Sequence, residues 1–509
     1  MIKYKVKEYI DFLKEENQVI EIINCEDILD TTVEYMSYNS KDIKENTLFI
    51  CKGETFKEEY LKSAARDGVM IYVSEKKYDI DIPCIIIKNM RICLSLLATK
   101  YFNNPSSKLN IIGITGTKGK STTAYFVKYI LDEYAKANNL KDTAIISSIF
   151  TYDGKDTYKS KLTTPESFDL QRNLYNAVES GIKNVVMEVS SQALKYGRVY
   201  NVNFNIAAFL NISEDHIGPK EHKDFEDYFS SKLKIFAKTN IACINLDSEY
   251  SKRIYDKAKS DSNKVITYSS KNKEADILAT NIHKEGLSTV FSLTTNKDNF
   301  EIKLTMPGLF NVENALAAIS IAKIMNIPQR YIYIGLLNAR SEGRMEIYKS
   351  SDEKILTIVD YAHNKISFEK IFETTKKEYP DRKIIVVFGC PGNKAQIRRK
   401  DLGEVAGKNA DYIYITEDDP AFETVDKISK EIVEFVKEYT DNYEIVEERK
   451  DAIYKAIDKI KKSNEKYILL LLGKGNEMTQ KIGNDYVPYI GDSNIIKTLI
   501  ENYEKEYLK

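Results

Sequence analysis

The sequence has no excess of charge of either sign: 75 Lys and Arg stand against 76 Asp and Glu over 509 residues. Without a basic surplus there is no global field to draw in nucleic acid or an anionic membrane surface, so local sites must hold any anionic ligand. Long hydrophobic runs are missing too. No apolar stretch, Ile468–Leu472 included, exceeds the size of a strand, and a membrane span needs several times that length. The first eighteen residues carry lysines but no continuous apolar segment and no small-residue cleavage pattern, so a signal peptide is not expected. Cysteine is scarce. Cys25, Cys51, Cys84, Cys93, Cys243 and Cys390 are scattered without a CxxC pair, which fits a reducing compartment and weighs against structural zinc. The expectation is a cytoplasmic monomer without membrane or nucleic-acid partners.

What is present is an ordinary globular balance, 43% hydrophobic and 30% charged, in a chain long enough for about three domains. The first hundred residues alternate short apolar runs (Thr47–Cys51, Val69–Val73, Cys84–Ile87) with helix-like segments such as Glu58–Asp67. Asn103–Ser107 reads as a linker. From Leu109 onward, strand, loop and helix repeat, with strands expected at Asn184–Val189, Ile206–Leu210 and Asn240–Asn245. Such alternation predicts a parallel sheet covered on both faces. Residues Asp276–Thr305 alternate polar and β-branched positions, predicting an antiparallel excursion. A last series has strands at Ile355–Val359, Lys383–Phe388, Tyr412–Thr416 and Tyr467–Leu472, and a helix over Val425–Tyr439. The expected domains are 1–105, 106–338 and 339–509, all α/β.

The strongest chemical signal is Asn110–Thr123, NIIGITGTKGKSTT. A β-branched run ends in a glycine loop and a helix follows. Gly116 and Gly119 let backbone N–H groups curl toward a phosphate, and the helix N-terminus adds its positive end. Lys120 is suited to β/γ-phosphate charge and the Ser121 hydroxyl to Mg²⁺. ATP is therefore the expected nucleotide, with Gly116, Thr117, Lys118, Gly119, Lys120, Ser121 and Thr122 as its cradle. The loop departs from the strict P-loop spacing, because Ile114 stands where the first glycine is required. A phosphate loop alone does not separate kinase, motor and ligase.

The variant loop TGTKGKST resembles that of the Mur ligase family and the related folylpolyglutamate synthetases. Thr163-Thr164-Pro165-Glu166, MEVSSQAL (Met187–Leu194), YGRV (Tyr196–Val199) and LNISEDHIG (Leu210–Gly218) are similar to segments of the Mur ligases that extend UDP-N-acetylmuramoyl-dipeptide by a third amino acid. The resemblance implies a three-domain fold: a small N-terminal UDP-binding domain, a central P-loop ATPase domain and a C-terminal Rossmann-like domain. It implies that Thr163, Thr164, Ser190 and Arg198 contact the sugar-peptide, and that Glu188 and His216 join Ser121 in holding Mg²⁺. Lys232, in FSSKLKIF, matches a lysine the family carries as a carbamate. Lys120, Glu188, His216 and Lys232 form the expected catalytic set. The physics agrees: making an amide requires an activated carboxylate, and cations must lie between it and the γ-phosphate.

MPGLFNVENALAA (Met306–Ala318) resembles a family signature that gives Asn311 and Asn314 an adenine-reading or junction-holding role. EGRMEI and VDYAHN resemble segments that bring Arg344, Asp360 and His363 to the nucleotide. His222 and His283 read as ordinary surface residues. TEDDPAFE (Thr416–Glu423) matches the DNPR segment of diaminopimelate-adding ligases, but Ala421 replaces the arginine that would fork onto a distal carboxylate. Asp418, Asp419 and Glu423 suit an amine instead, so lysine is favoured over diaminopimelate. GKGNEMTQ supplies Gly473 and Glu477, the latter for the amino group of the incoming amino acid. In VFGCPGNKAQIRRK (Val387–Lys400), Pro391, Asn393, Lys394 and Ala395 depart from the family while Arg398 and Arg399 keep its basic pair. In the first domain, Asn39, Lys41 and Asn46 depart from the uridine-binding pattern, whereas Ser40 and the following LFI strand remain. Two alternatives stand beside this reading: a folylpolyglutamate-synthetase-like ligase, and a nucleotide-binding scaffold without ligase activity.

Overall fold

The structure, a computed structural model, describes residues 2–53, 56–215, 217–218, 221–285, 288–295, 299–306, 308, 310–339, 345–393 and 396–507. His216, Arg344, Lys394 and Ala395 lie outside the described residues. The chain forms two compact bodies, one of residues 1–283, 290–303 and 312–338, the other of 284–289, 304–311 and 339–509.

The first body begins with a five-stranded sheet in the spatial order Val19–Ile23, Cys84–Ile87, Ile71–Ser74, Thr47–Ile50, Tyr35–Ser37. Only its first pairing is antiparallel. Every residue of its three middle strands is buried, because side chains that alternate across the sheet meet cover on both faces. Leu48, Ile50, Val73 and Ile85 pack with helices Val6–Glu15 and Met90–Tyr101, while Phe49, Tyr72 and Ile86 join Leu61 and Ala64 of helix Glu58–Arg66. The expected linker at Asn103–Ser107 is instead a packed turn. Asn103 and Asn104 take left-handed backbone angles, Pro105 opens a short 3₁₀ helix, and Pro105 and Ser106 are buried. Asparagine tolerates that conformation and proline cannot extend the preceding helix, so local chemistry fixes the corner.

Among the described residues the central sheet has eleven strands, and Asn110–Thr115 lies between Phe204–Phe209 and Asn184–Glu188. Both pairings are parallel, as are those to Thr239–Asn245, Lys264–Ser269 and Ala144–Ile146 further out. The strand order grows outward in both directions from Asn110–Thr115, so the crevice at its carboxyl end is a topological switch point. Strands Ile277–Glu285, Ser288–Thr295 and Asn299–Leu304, from the region expected as an excursion, extend one edge. At the other edge, Phe150–Tyr152 and Thr157–Lys159 add an antiparallel pair whose segments are too short to show a period in sequence.

The second body holds a six-stranded sheet ordered Glu346–Lys349, Leu356–Asp360, Tyr467–Leu472, Lys383–Phe388, Tyr412–Ile415, Tyr443–Ile445, parallel except at its first pairing. Helix Val425–Val436 buries Ile428, Ile432, Val433 and Val436 on one face, as the spacing predicts. A two-stranded ribbon, Thr479–Ile482 with Asp485–Pro488, follows the last parallel strand. Among the described residues, no helix is long and apolar enough to cross a membrane. All six cysteines are buried and unbonded.

Candidate active site

Three strand ends converge at the phosphate loop. Asn110–Thr115 runs into Gly116, and Gly119 (φ +84°) caps helix Lys120–Ala137. A Cβ at Gly119 would stand 2.2 Å from Asn314 Oδ1, and one at Gly116 would stand 3.0 Å from Leu210 Cβ. Gly119 thus combines a left-handed backbone with close approach, and Gly116, at φ +154°, is tight against the neighbouring segment as well. It is fastened to the segment after the neighbouring strand. Thr117 N donates to Asn211 O at 3.0 Å, Lys118 N donates to Asn211 Oδ1 at 2.9 Å, and Lys118 Nζ pairs with Asp215 at 3.2 Å. Thr117 Oγ1 meets the Tyr228 hydroxyl at 3.1 Å. Ser121 and Thr122 fall in the first helical turn, where main-chain N–H groups have no partners within the helix.

Two lysines converge on this loop. Lys120 Nζ donates to Gly116 O (2.9 Å) and Thr117 O (3.1 Å), and Lys232 Nζ also donates to Gly116 O (2.9 Å). Lys232, at the end of helix Phe225–Leu233, is fully buried with its ammonium 4.8 Å over the Tyr228 ring. Burial first, and the nearby charge of Lys120 second, push its amine well below the usual lysine range, against the pull of Asp215.

On the other side, Glu188 ends its strand with its carboxylate buried. Oε1 accepts from Ser148 N (2.9 Å) and Ser148 Oγ (3.2 Å), and Ser148 Oγ lies 3.0 Å from Ser121 Oγ. Ser148 thus joins the two Mg²⁺-ligand candidates, a role with no signal in the sequence. Among the described residues no group of three or more His, Cys, Asp and Glu side chains could hold a metal. One hydroxyl and one carboxylate nevertheless fit Mg²⁺, which takes hard oxygens and completes its shell with phosphate and water. The glycine cradle, the helix N-terminus and Lys120 fit a triphosphate.

Thr164, fully buried, donates through its hydroxyl to Glu188 O (2.9 Å) and accepts from Ser190 N (3.0 Å). Ser190 caps helix Ser191–Lys195 by accepting from Ala193 N. Both hydroxyls therefore brace the strand end, while Thr163 beside them is half-buried. Arg198 Nη1 donates to Thr164 O, and Arg198 Nε pairs with Glu166 at 2.8 Å. Ser40 lies in the turn after strand Tyr35–Ser37 of the first sheet.

His222 corrects the surface reading. It is fully buried, with Nε2 3.0 Å from Ser191 Oγ, Nδ1 3.4 Å from Asp227 and its ring against Tyr228. Burial pushes it below the ordinary histidine value despite Asp227, and its contact with Ser191 braces the Ser190–Ser191 turn. His283 is exposed, as expected.

Asn314 is buried against the loop, and the backbone N–H of Asn311 donates to Gly308 O. In the second body, Asp360 ends its strand with Oδ2 accepting from Met345 N and Oδ1 from Ala362 N. His363 Nδ1 meets Tyr361 O at 2.8 Å. Asp418, Asp419, Gly473 and Glu477 come together at the ends of two strands. At their centre is a residue the sequence reading passed over: Lys474, whose buried ammonium pairs with Asp419 (2.8 Å) and Glu477 (2.9 Å). Asp418 Oδ2 would meet a Cβ on Gly473 at 2.3 Å. Burial pushes Asp418 up to about 6, opposed by Lys474 and Arg449. Glu423, expected to suit an amine, is instead taken by the buried Arg399, which also pairs with Glu431 and fixes the loop after Pro420.

Residues 114–322 match the Mur ligase middle domain, and 343–475 match the Mur ligase glutamate ligase domain. The chain is 36% identical to a UDP-N-acetylmuramoyl-L-alanyl-D-glutamate--L-lysine ligase of Enterococcus faecalis, covering 91% of each chain. It is 37% identical to the ligase of the same name from Streptococcus mutans, over 91% of this chain and 92% of that one. The chain belongs to the Mur ligase family. A solved UDP-N-acetylmuramoyl-L-alanyl-D-glutamate--2,6-diaminopimelate ligase shares the Mur ligase fold with a TM-score of 0.69 at 20% identity, over 99% of this chain and 100% of the other. In this Mur ligase, the matched middle domain contains the loop, Glu188 and Lys232, and the matched C-terminal domain contains Asp418, Asp419 and Lys474.

Proposed function

We propose that this Mur ligase, an ATP-dependent carbon–nitrogen ligase, adds L-lysine to UDP-N-acetylmuramoyl-L-Ala-D-Glu during peptidoglycan precursor synthesis. One observation carries the reading: Lys120, Lys232 and the Ser121–Ser148–Glu188 chain meet at a single phosphate-binding loop. Bound ATP would supply the phosphoryl group that makes the peptide carboxylate an acyl phosphate, with ADP leaving, and the lysine amine would then attack the acyl carbon and displace phosphate. Lys120 screens the repulsion between two anions, and the helix N-terminus holds the phosphate. Ser121 and Glu188, with His216, are proposed to hold Mg²⁺. An uncharged Lys232 amine is a nucleophile for carbon dioxide, giving a carbamate and a proton. The resulting anion, beside Lys120 and the loop, can orient a metal or a cation.

Lysine is the proposed amino acid because Ala421 offers no guanidinium to a distal carboxylate, and Asp418 sets an acid beside Asp419 and Glu477, which already share the Lys474 ammonium. Relatives bearing the lysine-ligase name favour the same choice. Arg198, Thr163, Thr164 and Ser190 are proposed to seat the sugar-peptide, Ser40 the uridine end, and Asn311, Asn314, Arg344, Asp360 and His363 the nucleotide. We further propose domain limits at 1–105, 106–338 and 339–509, and a monomer acting in the cytoplasm, where ATP and UDP-linked precursors occur.

The test is incubation with the UDP-dipeptide, ATP and single amino acids, reading ADP release and product mass. Lysine should give the tripeptide and diaminopimelate little or none, and Lys120→Ala should lower turnover by several orders of magnitude. Absence of ADP release with every amino acid would refute the assignment.

A further inference from the structure

Glu166 ends the Thr163–Glu166 segment, and the proposed function leaves it without a task. It occupies the N-cap of helix Ser167–Glu179, yet its side chain makes no capping bond. Its two oxygens take different partners: Oε2 pairs with Lys52 Nζ and Oε1 with Arg198 Nε, each at 2.8 Å. The three side chains are largely shielded, with 26% exposure for Lys52 and Glu166 and 14% for Arg198. Burial alone would raise the Glu166 carboxyl, but the two cations hold it below the ordinary range.

Lys52 comes from the N-terminal domain, two residues beyond strand Thr47–Ile50. Its ammonium also lies 4.9 Å over the Tyr38 ring, and the Tyr38 hydroxyl donates to Asp169 at 3.1 Å. Tyr38, Tyr101 and Phe102 pack around Phe168. The N-terminal domain therefore grips the first turn of this central-domain helix, and Lys52 reaches its cap. From Arg198 the chain of contacts continues through Thr164 to the backbone of Glu188 and Ser190.

We propose that Lys52 and Glu166 are positioning residues: Lys52 holds one oxygen of Glu166 and thereby sets the angle at which Arg198 meets an anionic group of the UDP-linked peptide. This rests on reading Arg198 as a substrate contact. The physical case is competition for one carboxylate. Arginine and carboxylate readily form a two-point fork. With Lys52 on Oε2, Arg198 keeps a single contact with Glu166 through Nε, and its Nη1 donates to Thr164 O at 3.3 Å. Without Lys52, Glu166 can close on Arg198 as a fork, turning the guanidinium and neutralising it. A residue of the uridine-side domain would then tune a contact made in the ATP-side domain.

The experiment measures calorimetric Kd for UDP-N-acetylmuramoyl-dipeptide, with steady-state KM values for all three substrates, in wild type, Lys52→Met, Lys52→Arg and Glu166→Gln. Lys52→Met should weaken UDP-dipeptide binding about tenfold, with the ATP and lysine KM values changed by less than about twofold. Lys52→Arg should restore most of the loss. Combining Lys52→Met with Arg198→Lys should cost less than the product of the two single effects. Unchanged Kd, a uniform rise in all three KM values, or strictly multiplicative effects would overturn the proposal. Should Lys52→Met not fold, Glu166→Gln carries the test, with the same selectivity and the same non-additivity with Arg198→Lys expected. Normal binding without turnover in wild type would count against the proposed function, and normal turnover with unaltered variant Kd against the positioning pair.

Discussion

Replacing Asp492 by asparagine removes one charge from a pair with no access to water. Arg449 and Asp492 are both fully buried, joined by Nε–Oδ1 (2.9 Å) and Nη2–Oδ2 (2.7 Å). Arg449 Nη2 also donates to Leu472 O, the last residue before the Gly473 loop, and the Tyr489 hydroxyl donates to Asp492. Burial disfavours the guanidinium charge, and Asp492 more than restores it, so Arg449 stays protonated throughout. Asp492→Asn keeps the volume and strands that charge. Breaking one half of a buried pair costs about 3–5 kcal/mol. Because Asp418 also lies close enough to be felt by Arg449, the low end, about 3 kcal/mol, is expected here. The chain has several domains, so a single melting temperature is a poor readout. Hydrogen exchange of the strand Tyr467–Leu472 reports the local opening, and the expected loss corresponds to roughly 100-fold faster exchange. The double variant Arg449→Met with Asp492→Leu should recover most of it, since replacing both charges removes two desolvation costs. Exchange within about threefold of wild type in Asp492→Asn would refute the reasoning.

Three further outcomes are expected. Asp418 is pushed up from 3.8 to about 6, so between those values the folded chain binds a proton the unfolded chain has lost. Its contribution to stability is therefore full below about pH 4 and falls as pH rises through about 6, by roughly 3 kcal/mol in all. Asp418→Asn should flatten that slope, and turnover at limiting lysine should climb through the same window as the carboxylate ionises; a pH profile unchanged by Asp418→Asn rules this out. Gly119→Ala forces a left-handed alanine at about 1 kcal/mol and drives its Cβ into Asn314, so the ATP KM should rise about tenfold or more, and an unchanged ATP KM would contradict the cradle. Depleting carbon dioxide should slow wild-type turnover and added bicarbonate should restore it, whereas the residual rate of Lys232→Ala should respond to neither; insensitivity of the wild type would remove the carbamate.

Much of the site was legible because its signals are local. The phosphate loop is a strand, glycines and a helix in one continuous segment, and each part constrains the backbone within a few residues. The strands at Lys383–Phe388 and Tyr467–Leu472 were legible because runs buried on both faces are apolar throughout. Ser148 was not, since a serine in a short connection carries no pattern and acquires its task only when Ser121 and Glu188 arrive on either side. His222 was misplaced because histidine is equally at home in solvent or in a polar core, and only Ser191, Asp227 and Tyr228 decide which. Arg399 was read only as half of a basic pair and Lys474 was passed over, because Glu423 and Asp419, distant in the chain, are brought to them only by the fold.

By itself the sequence determined the α/β class, the glycine loop between strand and helix, and the family, because strand burial, turn glycines and motif spacing act over short stretches of chain. Only the tertiary structure decided which charges meet. Lys52 with Glu166, Lys232 with Gly116 and Arg449 with Asp492 are 114, 116 and 43 residues apart. Electrostatic partnership depends on distance in space and on exclusion of water, and neither quantity is written in the order of residues.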